Sequence, residues 1–245
     1  MNDMIYGLHP VIEALEAGRT IDKILMRRGL VGDNVSQLLQ LAREHRVPVQ
    51  RVPPEKLDRV TRKNHQGVIA LLAAVDYCRL SDVLPGLFEQ GVNPLIVVLD
   101  GVTDVRNFGA IARTCDCAGV NALVIAERGS VTVGADAMKT SAGALNYVTV
   151  CREHNLAGAL RYLRDSGVMV IATAGGTATA HTAADYTGPV AIVLGAEGEG
   201  ISDEVLEVCN TRVAIPEFGH INSLNVSVAA GVVIYEAVRQ RLADL

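Results

Sequence analysis

From Leu95 onward the chain repeats one pattern, a short and wholly apolar run, a polar turn, and then a longer stretch with helical periodicity. Leu95–Leu99, Ala122–Ala126, Val168–Thr173, Val190–Leu194 and Arg212–Ile215 read as strands. Phe108–Cys117, Ala135–Leu145, Leu156–Asp165 and the segment from Ser223 read as helices. Runs that are apolar throughout suit strands covered on both faces, and strands separated by helices suit right-handed parallel crossovers. The pattern therefore predicts an α/β fold built on an open, Rossmann-like parallel sheet. Such sheets bind ligands beyond the carboxyl ends of their strands, which directs attention to the loops after Leu99, Leu194 and Ile215.

The first 75 residues read differently, as a small mixed module. Tyr6-Gly-Leu-His-Pro10 is a turn into a helix with Pro10 near its start, Ile21–Met26 a strand, Asn34–Glu44 a helix, and Val47–Val52 and Gly67–Ala73 further strands. Residues 76–94 carry Pro85, Gly86, Gly91 and Pro94 with weak periodicity, so a linker is expected there, followed by a second domain over 95–245.

Charge is unevenly placed. The net charge of −5 argues against a polyanionic partner for the chain as a whole, yet residues 1–75 hold 11 Lys and Arg against 8 Asp and Glu, while the remainder holds 11 against 19. Arg27, Arg28, Arg43, Arg46, Arg51, Arg59, Arg62 and Lys63 are candidates for an RNA-facing surface, although scattered solvated charge reads equally well. No apolar run approaches the roughly 18 residues of a membrane span, and MNDMIYGLHP lacks the features of a signal peptide, so a cytoplasmic protein is expected. The five cysteines include no CxxC pair, and the six histidines never fall at HxxxH spacing. Reduced, buried thiols and no metal are the expectation.

Three loops carry the polar chemistry. VVLDGVTDVRNFGAIART places Asn107 and Arg113 just past a strand, and AIVLGAEGEGIS places Gly195 and Glu197 past another. IPEFGHINSLNVSVAAGVVIY sets Ser223, Leu224 and Asn225 at the start of an apolar helix. Each has an ordinary structural reading, as a turn, a solvated carboxylate or a helix cap. The glycines of Gly195–Gly200 run GxxGxG, not the GxGxxG of a dinucleotide fold, which disfavours a nicotinamide oxidoreductase.

In order and spacing these three segments resemble the motifs of the SPOUT-class RNA 2′-O-ribose methyltransferases, in the TrmH branch that includes enzymes acting on a guanosine of 23S ribosomal RNA. YGLHPVIEAL and HQGVIAL resemble that branch's N-terminal substrate-binding domain, whose fold is like ribosomal protein L30e. The resemblance implies S-adenosylmethionine as cofactor, held by Gly195, Ile215 and Leu224, and catalytic positions at Asn107, Arg113, Glu197, Ser223 and Asn225. It also implies a deep trefoil knot, which periodicity does not reveal and which is rare among proteins. Guanidinium stays protonated, so Arg113 suits an electrostatic clamp on a phosphate and developing alkoxide better than a base. Glu197 suits orienting the hydroxyl or taking its proton. Glu217, Phe218 and His220, with Val105-Arg106, depart from commoner family forms and are expected to meet RNA. The final helix is apolar nearly all round, which together with the resemblance points to a homodimer. A tRNA substrate and a non-catalytic RNA-binding protein of the same fold are the competing readings.

Overall fold

The structure is a computed structural model describing residues 4–220 and 223–243, and its contacts divide the chain into two compact units. The first comprises residues up to Asp76 together with Thr132–Asp136. Its elements are β1 (Met4–Tyr6), α1 (Leu8–Glu16), β2 (Ile21–Arg27), α2 (Asp33–Glu44), β3 (Val49–Val52), α3 (Pro54–Val60) and β4 (Val68–Leu72), with sheet order β1-β4-β2-β3. Period-two alternation splits this sheet's side chains. Ile24, Met26, Val68 and Ala70 face a core closed by Val11 and Leu15 of α1 and Leu38 of α2. Leu25, Val52 and Ile69 face the other way, with Leu57 the one fully buried residue that α3 adds to them.

The second unit begins at Tyr77. The stretch expected to be a linker therefore needs correction, because it contains helix α4 (Leu80–Glu89). Pro85 sits inside it, but burial of Leu80 and Leu84 in the core and a hydrogen bond from the Leu80 amide to Glu153 Oε1 at 2.8 Å hold the helix regardless. The glycines and prolines signalled a break, and the apolar i, i+4 pair outweighs it.

Strands β5 (Leu95–Asp100), β6 (Ala122–Ala126), β7 (Val150–Glu153), β8 (Met169–Thr173), β9 (Val190–Gly195) and β10 (Thr211–Val213) form one sheet in the order β10-β8-β9-β5-β6-β7, every pair parallel. Helices α5 (Val105–Cys117), α7 (Leu156–Asp165), α8 (Asp203–Leu206) and α9 (Val226–Ala243) complete the unit, with α6 (Ala135–Thr140) belonging to it from Ala137 onward. The helix expected over Ala135–Leu145 stops at Thr140, because Ala142 (φ 52°) and Gly143 (φ 86°) turn left-handed and only a 3₁₀ turn follows. The final helix starts at Val226, not Ser223, since Asn225 Oδ1 accepts from the Ser227 amide and so caps it. Of the cysteines, Cys115 and Cys151 are buried but Cys117 is exposed. Burial pushes the Cys151 thiol up to about 12. No helix among the described residues is long and apolar enough to cross a membrane.

The strand order reverses between β5 and β9, with β6 and β7 outward on one side and β8 and β10 on the other. The crevice at that reversal is where a doubly wound sheet places its ligand. Gly195 pairs with Asp100 at the carboxyl end of this central pair, and Asp100 Oδ2 accepts from the backbone and hydroxyl of Ser202 at 2.8 and 2.7 Å, tying down the loop between them.

Candidate active site

Asp104 starts α5 by accepting from the amides of Arg106 and Asn107, at 2.7 and 3.4 Å, and also pairs with the Arg106 guanidinium at 2.8 Å. That side-chain bond, with the Arg106 amide next, lowers the Asp104 carboxyl to about 2. The cap fixes Asn107 in the first turn of α5, the helix that follows the carboxyl end of β5. Glu197 sits on the exposed loop after β9, and its Oε2 accepts from Asn107 Nδ2 at 3.3 Å. Asn225 comes from the far end of the chain and donates Nδ2 to Asn107 Oδ1 at 2.9 Å. Asn225 Oδ1 is in turn held by the amide and hydroxyl of Ser227.

These bonds all run in one direction. Ser227 donates to Asn225, Asn225 to Asn107, and Asn107 to the Glu197 carboxylate, so each amide is pinned in orientation by its neighbours. Such chains polarise along their length. Oε1 of Glu197 accepts no hydrogen bond among the described residues, and the Arg106 guanidinium is close enough to the carboxylate to interact with its charge. A carboxylate held at one oxygen and open at the other can orient a hydroxyl or take its proton.

Of the residues singled out from sequence, Asn107, Glu197 and Asn225 are thus brought together from three separate loops. Arg113 lies exposed on α5, six residues past Asn107 and so about 120° around the helix from it, and it makes no hydrogen bond or ion pair among the described residues. Ser223 and Leu224 are exposed just before the cap of α9, and Ile215 is half-buried after β10. Phe218, with Glu217 and His220, is exposed on the same loop, Phe218 almost completely at 97%.

Gly195 has a steric reason to be glycine. A Cβ there would lie 2.1 Å from the Gly200 carbonyl carbon, because Ala196 and Gly200 exchange backbone hydrogen bonds that fold the loop back on the strand. Sequence reasoning gave Thr173 no role of its own. Its hydroxyl is buried with no hydrogen-bond partner among the described residues, at the end of β8 and in register between Leu194 and Val213. Gly195 and Ile215 lie just past those two neighbours. An unpaired buried hydroxyl is costly, so a polar ligand group over these strand ends fits the residues present. A strand-terminal Thr carries no motif signal that would have marked it in advance.

The chain's residues 94–235 match the family model described as SpoU rRNA Methylase family, and residues 4–78 match the one described as RNA 2′-O ribose methyltransferase substrate binding. A protein of Staphylococcus aureus named as a TrmH family tRNA/rRNA methyltransferase is 38% identical over 238 residues, spanning 97% of this chain and 96% of that one. Among solved structures, the AdoMet-bound rRNA methyltransferase from Sinorhizobium meliloti is similar at TM-score 0.59 and 27% identity, covering 96% of this chain and 86% of that one. The A. aeolicus TrmH/SpoU tRNA modifying enzyme is similar at TM-score 0.56 and 32% identity, over 67% of this chain and 85% of that one. The two family matches, carried on a two-unit α/β fold, define an RNA 2′-O-ribose methyltransferase. The chain belongs to the SpoU/TrmH family.

Proposed function

We propose that the protein uses S-adenosylmethionine to methylate the 2′-hydroxyl of a guanosine in 23S ribosomal RNA, in the cytoplasm. The observation that carries the reading is the directed chain Asn225–Asn107–Glu197, which converges three loops on one carboxylate at the sheet's reversal point. When bound, S-adenosylmethionine supplies an electrophilic methyl group. Gly195, Ile215 and Leu224 would hold it, the glycine through its bare backbone and the other two through aliphatic contact, and the Thr173 hydroxyl would serve as a polar partner. Glu197 orients the ribose hydroxyl and accepts its proton through Oε1. Asn107 and Asn225 keep that carboxylate in place, Ser223 positions ligand groups, and Arg113 brings its guanidinium to the adjacent phosphate and the developing alkoxide.

Dimerisation belongs to the same reading. Val228, Val232 and Tyr235 of α9 are exposed by 52, 37 and 49%, at helical spacing on one side, while Val226, Ala230, Val233, Ile234 and Ala237 are buried on the other. A second copy of the chain covers the exposed stripe. The knot is part of the proposal too. Arg241 of α9 donates to the carbonyls of Tyr186, Gly188, Asn93 and Pro94, reaching the segments that enter both central strands, as a threaded terminus would.

Mapping alkali-resistant ribose positions in rRNA and tRNA from cells with and without the gene tests the assignment. Loss of one methylated guanosine in 23S rRNA is the expected result. Loss of a tRNA position instead moves the substrate, a reading favoured by the similarity to the A. aeolicus enzyme. No change in either RNA overturns the proposal.

A further inference from the structure

The two faces of the first unit's sheet differ in a way that the family match leaves undescribed. One face is covered by two helices, α1 and α2, which carry Glu13, Glu16, Asp33 and Glu44. The other is covered by the seven residues of α3, whose fully buried contribution is Leu57 alone. Strand register assigns the residues of this second face. Met4 pairs with Leu71, Leu71 with Lys23, Tyr6 with Ile69, and Ile69 with Leu25, so Tyr6 and Lys23 share the side of Leu25, and Arg27 follows two residues on.

Cations collect there. Lys23 and Arg27 come from β2, Lys56 and Arg59 from α3, and Arg62 and Lys63 from the loop after it, against the carboxylates of Glu55 and Asp58. Asp58 is already engaged, accepting from the His65 ring at 3.0 Å. In a chain of net charge −5 this concentration is selective. An aromatic ring lies within it, since the Lys63 ammonium stands 5.4 Å from the centroid of the half-buried Tyr6 ring.

We infer that this α3-side face of the first unit's sheet binds an unpaired stretch of RNA, with one base stacked on Tyr6 and flanking phosphates held by Arg27, Arg59 and Lys63. The chemistry is that of a stacking platform set in a cationic surface. An aromatic ring takes the face of any base, while the surrounding cations follow the backbone without reading sequence. A base arriving on Tyr6 replaces the Lys63 ammonium there, and the released ammonium pairs with the next phosphate. The sheet's other face carries Arg51, which pairs with Met26, but none of the unit's Phe, Tyr or Trp rings. Arg43 and Arg46, grouped with these cations by sequence alone, lie at the end of α2 and are outside the surface. The inference deepens the reading of the protein as an RNA-modifying enzyme by naming what its first unit grips.

The test uses the full chain, a fluorescein-labelled single-stranded oligoribonucleotide of mixed sequence, and a blunt RNA duplex of equal length, with affinity followed by anisotropy over a salt series. Tyr6→Leu keeps the apolar bulk and is expected to weaken single-strand binding about tenfold, whereas Tyr6→Phe binds as wild type. Arg27→Ala combined with Arg59→Ala is expected to lower the salt slope by about 1.4, because each phosphate contact on a single strand contributes about 0.7. Arg43→Ala changes neither quantity. Equal losses from Arg43→Ala and Arg27→Ala, a Tyr6→Leu protein that binds as wild type, or tighter binding to the duplex would each overturn the inference. Failure of the enzymatic reading looks different. RNA binding through this face then persists in a protein that transfers no methyl group, while a protein that methylates normally with all three substitutions sinks the binding face alone.

Discussion

Asn107 and Asn225, 118 residues apart, share a 2.9 Å hydrogen bond in which the Asn225 amide donates to the Asn107 carbonyl oxygen. β10 lies at the sheet's edge, two strands from β9, whereas α5 follows the central strand β5. The bond therefore ties the start of the final helix to the carboxyl end of the sheet's central pair. Asn107→Ala removes both the acceptor for Asn225 and the donor to Glu197. Methyl transfer is expected to fall by about 10²-fold or more, in the range of a displaced acid–base group, while thermal stability drops by only about 1 kcal/mol. Single-turnover transfer and a melting curve on the same protein check both halves.

Gly195 admits no side chain. Its built Cβ would sit 2.1 Å from backbone carbon and 2.3 Å from backbone nitrogen of the Gly200–Ile201 peptide, atoms that cannot swing aside. Gly195→Ala is expected to cost about 3 kcal/mol or to open the loop outright. In either case calorimetric binding of S-adenosylmethionine is lost. Gly175→Ala, where nothing lies within 4 Å of the added carbon, serves as the tolerated control in melting experiments.

How much of this was legible beforehand follows from where the determinants lie. The strands Ala122–Ala126 and the helix Leu156–Asp165 were read at their observed limits, because an unbroken apolar run and a clean amphipathic period are local properties. Val150–Glu153 escaped notice as an edge strand of four residues with a polar end, stabilised by pairing with β6. Helix α4 escaped because Pro85 and the nearby glycines mask two buried leucines. Within the site, the residue types were visible in the motifs. That Asn107 is the hub joining Glu197 to Asn225 was not, since a hydrogen-bond partner 118 positions away leaves no local trace. The orphaned Thr173 hydroxyl is likewise a product of packing alone.

Glu236 gives α9 a dependence on pH. Its two oxygens take a forked pair from Arg239 at 2.9 and 2.8 Å, and Gln240 adds a third bond at 2.8 Å. Arg239, first, and Gln240 hold the buried carboxyl down at about 2, against burial that acts to raise it. A carboxylate depressed on folding stabilises the native state above its unfolded value near 4.3, and that contribution disappears as pH falls toward 2. Glu236→Gln is expected to cost about 2 kcal/mol at pH 7. The gap between wild type and variant should then close on acidification through pH 4 to 2, as read by denaturant unfolding at each pH.

Arg113 separates a clamp from a surface residue. Its guanidinium is exposed and makes no hydrogen bond or ion pair among the described residues, so Arg113→Ala should leave melting temperature and cofactor affinity nearly unchanged. Turnover should fall at least about 10²-fold, because a contact formed with a developing charge adds little to ground-state binding. Arg113→Lys is expected to recover part of the loss, lysine keeping the charge without the planar fork. Paired melting, calorimetry and kinetics distinguish this from a structural role, in which stability and cofactor binding fail together.

The central claim is that the Glu197 carboxylate, aimed by Asn107, handles the proton of the ribose hydroxyl. Single-turnover transfer of labelled methyl from S-adenosylmethionine to 23S rRNA, compared between wild type and Glu197→Gln, tests it most directly. Glutamine keeps the shape and an acceptor for Asn107 but cannot take a proton. The account predicts a methylated 2′-oxygen in the wild-type reaction and a rate lowered by about 10²-fold or more in the variant, with cofactor and RNA affinities unchanged. A Glu197→Gln protein that transfers methyl at the wild-type rate would contradict it.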